Sequence, residues 1–196
     1  MTTPPQRKDA ARNWQRILDV ARHLVDEGTP LQLNDVARLA GVGVATVYRH
    51  FPTPEALLET VAIPCFESLV AYGDEALADD DPWRALQGFL THAIEAQVAD
   101  PSLSAVTASP DSVLLRTGEL KATLVDVVGR LLERARGAGV VHPGLTTDEL
   151  VPLMCGVSYA ANVRGGDTAF RVDAARRYLG FLFTGLRANG RPFTPL

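Results

Sequence analysis

Cysteine is scarce in this chain. The two that occur, Cys65 and Cys155, lie far apart in apolar surroundings, so there is neither a disulfide framework nor the paired spacing of a metal site. Both are expected to be buried free thiols in a reducing compartment. Histidine is equally sparse. His23, His50, His92 and His142 are scattered along the sequence, with no Glu-x-x-His pair and no nucleophile elbow beside them, and Gly165-Gly166 reads as a turn, not a phosphate loop. No catalytic group, cofactor or metal site is therefore expected. No apolar run approaches the roughly 18 residues that a bilayer span needs, and no apolar signal segment opens the chain. The expectation is a cytoplasmic protein with no membrane partner. There is no internal repeat.

What the 196 residues do contain is material for a real core: 46% are apolar and 21% charged, a balance unlike that of disordered chains. The length suits one medium domain, or a small domain joined to a larger one. Residues 1–12 are the exception and read as a flexible basic tail carrying Arg7, Lys8 and Arg12. The net charge of −4 hides an asymmetry, because residues 1–52 sum to +2 and leave −6 for the remainder. A mildly basic head on an acidic body suits a protein that meets phosphate at one end only, although charge alone fits chance asymmetry equally well.

Helical periodicity runs through most of the sequence, and the expected fold class is all-α. Ile17, Leu18, Ala21, Leu24 and Val25 form an amphipathic stripe over 13–27, stopped at Gly28. Short helices follow over 33–39 and 44–50, separated by Gly41-Val42-Gly43. Thr53 as N-cap, Pro54 at the first helical position and Glu55 open a long helix in which Pro64 predicts a kink. A helix from about Trp83 ends at Asp100-Pro101. Residues 101–112 read as irregular. Further helices are expected over 113–136, with a break near Gly118, over 147–164 and over 168–188. The last carries Val172, Ala175, Leu179, Leu182 and Leu186 in a seam like that of a coiled coil.

The informative stretch is D-V-A-R-L-A-G-V-G-V-A-T-V-Y-R-H-F, from Asp35 to Phe51. Two short helices joined by a glycine turn make a helix-turn-helix. Ala37 and Ala40 let the helices approach closely, and Val42 and Val47 pin them. The second helix then presents Val44, Ala45, Thr46, Tyr48, Arg49 and His50, a set of hydroxyl, guanidinium and imidazole donors among small apolar groups that suits phosphates and base edges. A bare helix pair in a bundle would not need that concentration of polar donors, nor a basic segment preceding it.

On these residues the chain resembles the TetR/AcrR family of bacterial repressors. Arg16-Ile17-Leu18 and Glu27-Gly28 match the family's first helix. Asp35, Val36, Ala37, Ala40, Gly41 and Val42 match its second. Thr46, Val47, Tyr48, His50 and Phe51, then Glu55 and Leu57, match its third helix and the start of its fourth. The resemblance covers about residues 12–60. It implies a DNA-binding domain over 13–60 and a regulatory, dimerising domain over 61–196, and a homodimer on a near-palindromic duplex operator. It also implies that Thr46, Tyr48 and His50 grip phosphate or orient the helix. Val44, Ala45 and Arg49 would then face the major groove, with Gly43 at the helix start and Lys8 and Arg12 reaching DNA from the basic tail. Arg49 fits guanine or a phosphate. Three departures stand out. Gln32 replaces the usual Thr or Ser cap of the second helix, Gly43 replaces a Ser, and Pro54 replaces a Lys. Fewer phosphate contacts imply a weaker salt dependence.

The resemblance further implies a cavity for a small apolar or amphipathic effector among the central helices, and a dimer made by the last two. Phe66, Phe89, His92, Gln97, Tyr159 and Asn162 are candidate effector contacts, being aromatic or polar groups in otherwise apolar helices. Each has an ordinary alternative in the core, at the surface or at the dimer seam. A dimer without a physiological small ligand, or one switched by a protein partner, is the competing expectation.

Overall fold

Helix ends in this chain follow its capping chemistry. The computed structural model describes residues 6–163 and 165–187, with side chains from Asp9 onward. Among these residues the helices are α1 (Gln6–Asp26), α2 (Leu33–Ala40), α3 (Val44–His50), α4 (Pro54–Leu77), α5 (Pro82–Ala99), α6 (Pro101–Ala108), α7 (Leu115–Gly137), α8 (Thr147–Val163) and α9 (Thr168–Leu186). One isolated antiparallel bridge joins Val141 to Arg187. The all-α expectation is met. Thr53 accepts the Ala56 N–H at 3.2 Å at the start of α4. Asp81 accepts from the N–H groups of Trp83 and Arg84 at 3.0 Å each. At the start of α8, Glu149 accepts the Thr146 N–H at 2.9 Å and the Thr146 hydroxyl at 3.0 Å, and these two bonds hold its carboxyl below its usual range.

Four local expectations are corrected. The first helix begins at Gln6, so the expected tail over 1–12 is helical from there on. Asp9 favours the positive end of the helix, and its ion pair with Arg12 (3.6 Å) adds an i,i+3 contact. Residues 101–108 form α6, because Pro101 ends one helix and pre-sets the first residue of the next. Helix α7 runs unbroken through Gly118. The Val172–Leu186 seam of α9 turns inward: Ala175, Leu179 and Leu186 are buried in the core that α9 shares with α5 and α8. In addition, α4 has an 18-residue window of mean hydropathy 1.3, which makes it long and apolar enough to cross a membrane by length and composition; within the chain, its Ala56, Leu57, Val61, Ala62, Phe66, Leu69 and Ala76 are buried.

The chain divides into two units. The first comprises residues up to Pro64 together with Pro101–Gly118, and the second comprises Cys65–Asp100 with the chain from Glu119. The first unit thus gathers α6 and the start of α7 in addition to the expected 13–60. Its core is Ile17, Ala21, Leu33, Val36, Ala37, Val47, Phe51 and Leu57, and α6 packs on α1. Glu59, only 4% exposed, closes this arrangement. Its two carboxylate oxygens accept the N–H groups of Val113 and Leu114 at 2.7 and 2.8 Å. Bonds to a charged acceptor are each worth about 1.5–3 kcal/mol, so one side chain from α4 fixes the approach to α7.

In the second unit, Leu86, Phe89, Leu90, Ile94, Leu131, Leu132, Leu150 and Leu179 form the core. Gly73 allows a close approach of α4 to its neighbours: a Cβ there would stand 2.8 Å from Val127 Cγ1 and 3.2 Å from Phe89 Cε2. Arg134 donates to the carbonyls of Leu77, the last residue of α4, and of Asp79 just beyond it.

Candidate nucleic-acid interface

The turn between α2 and α3 is set by Gly41, whose φ of +62° lies in the left-handed region that side chains disfavour. There the Val42 N–H reaches the Ala37 carbonyl at 3.0 Å and the Gly41 N–H reaches Arg38 at 3.3 Å, a Schellman closure of α2. Gln32 provides no side-chain cap to α2, and Gly43 provides none to α3. Both sequence departures therefore leave helix starts without a side-chain oxygen.

Helix α3 is seven residues long and buries only Val47. With Val47 inward, Gly43, Val44, Ala45, Tyr48 and Arg49 are exposed, and Thr46 and His50 are half-buried. The structure thus brings together on one short helix six of the nine expected DNA contacts, with a seventh, Gly43, at its N-cap. Their charges are distributed unequally. Arg12 pairs with Asp9, Arg16 donates to Asn13 at 2.6 Å, Arg22 donates to the Val61 carbonyl at 2.7 Å, and Arg38 pairs with Asp35 at 3.1 Å. Arg49 is exposed, and no described residue pairs with it. Arg12 stands on α1 instead of on a tail. Lys8 also falls on α1, and its side chain lies outside the described residues.

Trp14 was not among the expected site residues. Its ring lies 5.3 Å from His50 at an interplanar angle of 83°, and 4.6 Å from Phe51 at 30°. No sequence signal links α1 to the end of α3; only the fold does.

The expected effector contacts scatter over the second unit. Phe66 and Phe89 are buried at 2% exposure, and Phe89 belongs to the core beside Gly73. His92 is half-buried and stacks on Tyr72, with centroids 4.0 Å apart at 22°. Tyr72 is a neighbour that sequence spacing could not supply, and its hydroxyl lies beside Gly88. Gln97 is half-buried further along α5. Asn162 accepts a long 3.4 Å bond from Arg171. Tyr159 is 72% exposed on the outer side of α8. With it, Leu153 and Val163 on α8 and Phe181 on α9 leave large apolar side chains in the open. An open groove of about 1110 Å³ runs along α8 and α9, lined by Leu153, Gly156, Ala160, Tyr178 and Gly185 among others. The two thiols are half-buried, less enclosed than expected. Cys65 donates to Asp100 at 2.8 Å, and partial burial pushes the Cys155 thiol up.

Comparison with known proteins agrees with this architecture. Residues 17–61 match the family described as bacterial regulatory proteins of the tetR family. Residues 81–188 match the C-terminal domain described as transcriptional regulator SbtR-like. The chain is similar to the HTH-type transcriptional regulator SAR0097 of Staphylococcus aureus, with 30% identity over 81 residues, covering 40% of this chain and 42% of that one. It is similar to the HTH-type transcriptional repressor KstR of Rhodococcus jostii, with 29% identity over 138 residues, covering 69% of this chain and 63% of KstR. The match thus spans less than two thirds of either relative. Among solved structures it resembles a TetR transcription regulatory protein from Mycobacterium vanbaalenii, at 28% identity and a TM-score of 0.51 over 93% of this chain and 99% of that one. With one family model on the helix-turn-helix and another over more than half of the chain, this protein belongs to the TetR family of transcriptional regulators.

Proposed function

We propose that this regulator is a cytoplasmic homodimeric repressor that holds a near-palindromic duplex operator and is released by a small apolar or amphipathic molecule. The observation that carries the DNA-binding half is α3. It is a helix with one buried anchor, an outward row of small and polar groups, and an exposed guanidinium that no described residue neutralises. Arg49 is read as the base contact, through the O6 and N7 acceptors of guanine. Val44 and Ala45 are read as facing the major groove, with Thr46, Tyr48 and His50 on phosphate. Lys8 and Arg12 approach the backbone from α1.

The exposed apolar groups of α8 and α9 support a two-fold contact between copies. Phe181, Leu153 and Tyr159, not the buried seam of α9, are read as the surface of that contact. Two recognition helices then meet successive major grooves about 34–36 Å apart. The Tyr72–His92 pair with Gln97 is the polar element read as meeting the effector. A ligand shifts operator binding only by its differential affinity for the two dimer states.

Gel shift with the DNA flanking the protein's own gene, at low salt and without ligand, is expected to give a sequence-specific complex. Its absence would overturn the repressor reading. A thermal-shift screen against metabolites tests release: a stabilising compound is expected to dissociate the complex, and persistent failure to find one leaves a DNA-binding dimer without a small ligand.

A further inference from the structure

His50 closes α3, and its position is held in an unusual way. It is half-buried, and no described residue forms a hydrogen bond with it. The contacts its ring makes are with Trp14 and Phe51, at 5.3 and 6.2 Å between centroids. Phe51 is itself buried and tilted against Trp14 at 4.6 Å. The indole therefore touches both the last residue of the recognition helix and its C-cap. A seven-residue helix has little stability of its own, so packing at its two ends sets the direction in which its side chains leave.

We propose that Trp14 is a positioning residue for DNA recognition. Its indole fixes the orientation of the His50 imidazole, so that a ring nitrogen, bonded to no described residue, is presented to one backbone phosphate. The inference rests on the reading of His50 as a phosphate contact. Aromatic edge contacts have preferred geometry, so a flexible aliphatic side chain in the same space would fill the gap without holding the ring.

The test uses the full chain and the duplex that the wild-type protein enriches from a randomised library. Phosphate-ethylation interference and affinity are compared for wild type, His50→Ala, Trp14→Leu, Trp14→Phe and the Trp14→Leu/His50→Ala double variant. Trp14→Leu keeps apolar volume, and circular dichroism checks that the head remains folded. His50→Ala and Trp14→Leu are expected to erase interference at the same single phosphate and to weaken binding about tenfold each, as loss of a charged-acceptor bond does. The double variant should bind no worse than the weaker single one, because the two side chains act through one contact. Trp14→Phe should restore the phosphate. If His50→Ala erases that phosphate and a folded Trp14→Leu variant leaves it intact, the positioning role is overturned while the His50 reading stands. Multiplying losses in the double variant would overturn it equally. If His50→Ala changes nothing, both fall.

Discussion

Arginine does different work in the two units. In the first, Arg12 and Arg38 pair locally and in solvent with Asp9 and Asp35, both at i,i+3, Arg22 alone of those described above reaches far along the chain, to the Val61 carbonyl, and Arg49 on α3 is left without a described partner. In the second, several guanidinium groups act as long-range staples. Arg134 reaches back 57 residues to the Leu77 carbonyl, Arg176 reaches 81 residues to Glu95 at 2.6 Å, and Arg187 lies 4.7 Å over the Trp83 ring; Arg84, nearer in sequence, clasps Asp79 with two bonds. A guanidinium held by protein acceptors has fewer donors to offer an outside partner. On the proposed function, the contrast separates a charge kept for recognition from charges that hold the scaffold.

Breaking a staple should therefore cost stability without touching DNA affinity, and breaking the free charge should do the reverse. The largest effect is expected for Arg134→Met, which leaves the carbonyls at the end of α4 without their charged donor. Chemical denaturation should show a loss of about 3 kcal/mol, with operator affinity unchanged under folding conditions. Arg49→Ala should lower operator affinity about 10–100-fold and relax discrimination at one base position, read by fluorescence anisotropy on operator variants. Its melting temperature should stay at the wild-type value; a lowered one would place Arg49 among the staples. Arg176→Gln, at a half-exposed pair, should lower stability only slightly, and by less in high salt, as followed by chemical denaturation.

The smallest effect is the pH dependence of the Asp79–Arg84 pair. The Arg84 hydrogen bonds hold the Asp79 carboxyl at about 2, below its unfolded value of 3.8. A depressed acid stabilises the fold above the unfolded value, and that contribution is lost as pH falls toward the folded one. Asp79→Asn should thus be less stable than wild type at neutral pH. The gap should narrow between about pH 4 and pH 2, as followed by thermal unfolding. A gap independent of pH would mean that the pair acts through packing.

The head was legible because its determinants are local. Leu33, Val36, Ala37 and Ala40 face inward as the 3.6-residue period requires, and Gly41 and Thr53 act as the turn and cap their types suggest. What the sequence concealed depends on contacts distant along the chain. Glu59 reads as an ordinary exposed acid on α4, yet it binds N–H groups more than 50 residues away and so draws residues 101–118 into the first unit. The α9 seam is apolar as expected, but it packs within its own unit where a coiled-coil-like pattern suggested a partner helix, since periodicity gives a helix its buried face and not what covers it. The exposed Phe181 and Tyr159 carry no periodic signal at all. The Tyr72–His92 stack joins two helices whose register only packing decides.

The two tryptophans of the chain fall one in each unit. Trp14 borders the end of the recognition helix, and Trp83 lies between Phe183 and Arg187. The protein thus carries two native optical probes in different surroundings, an imidazole beside one and a guanidinium over the other. Replacing either by Phe leaves a single emitter, so the two variants, used side by side, would report without a label on the head and on the second unit, and so on the DNA docking and effector arrival that the proposed function expects.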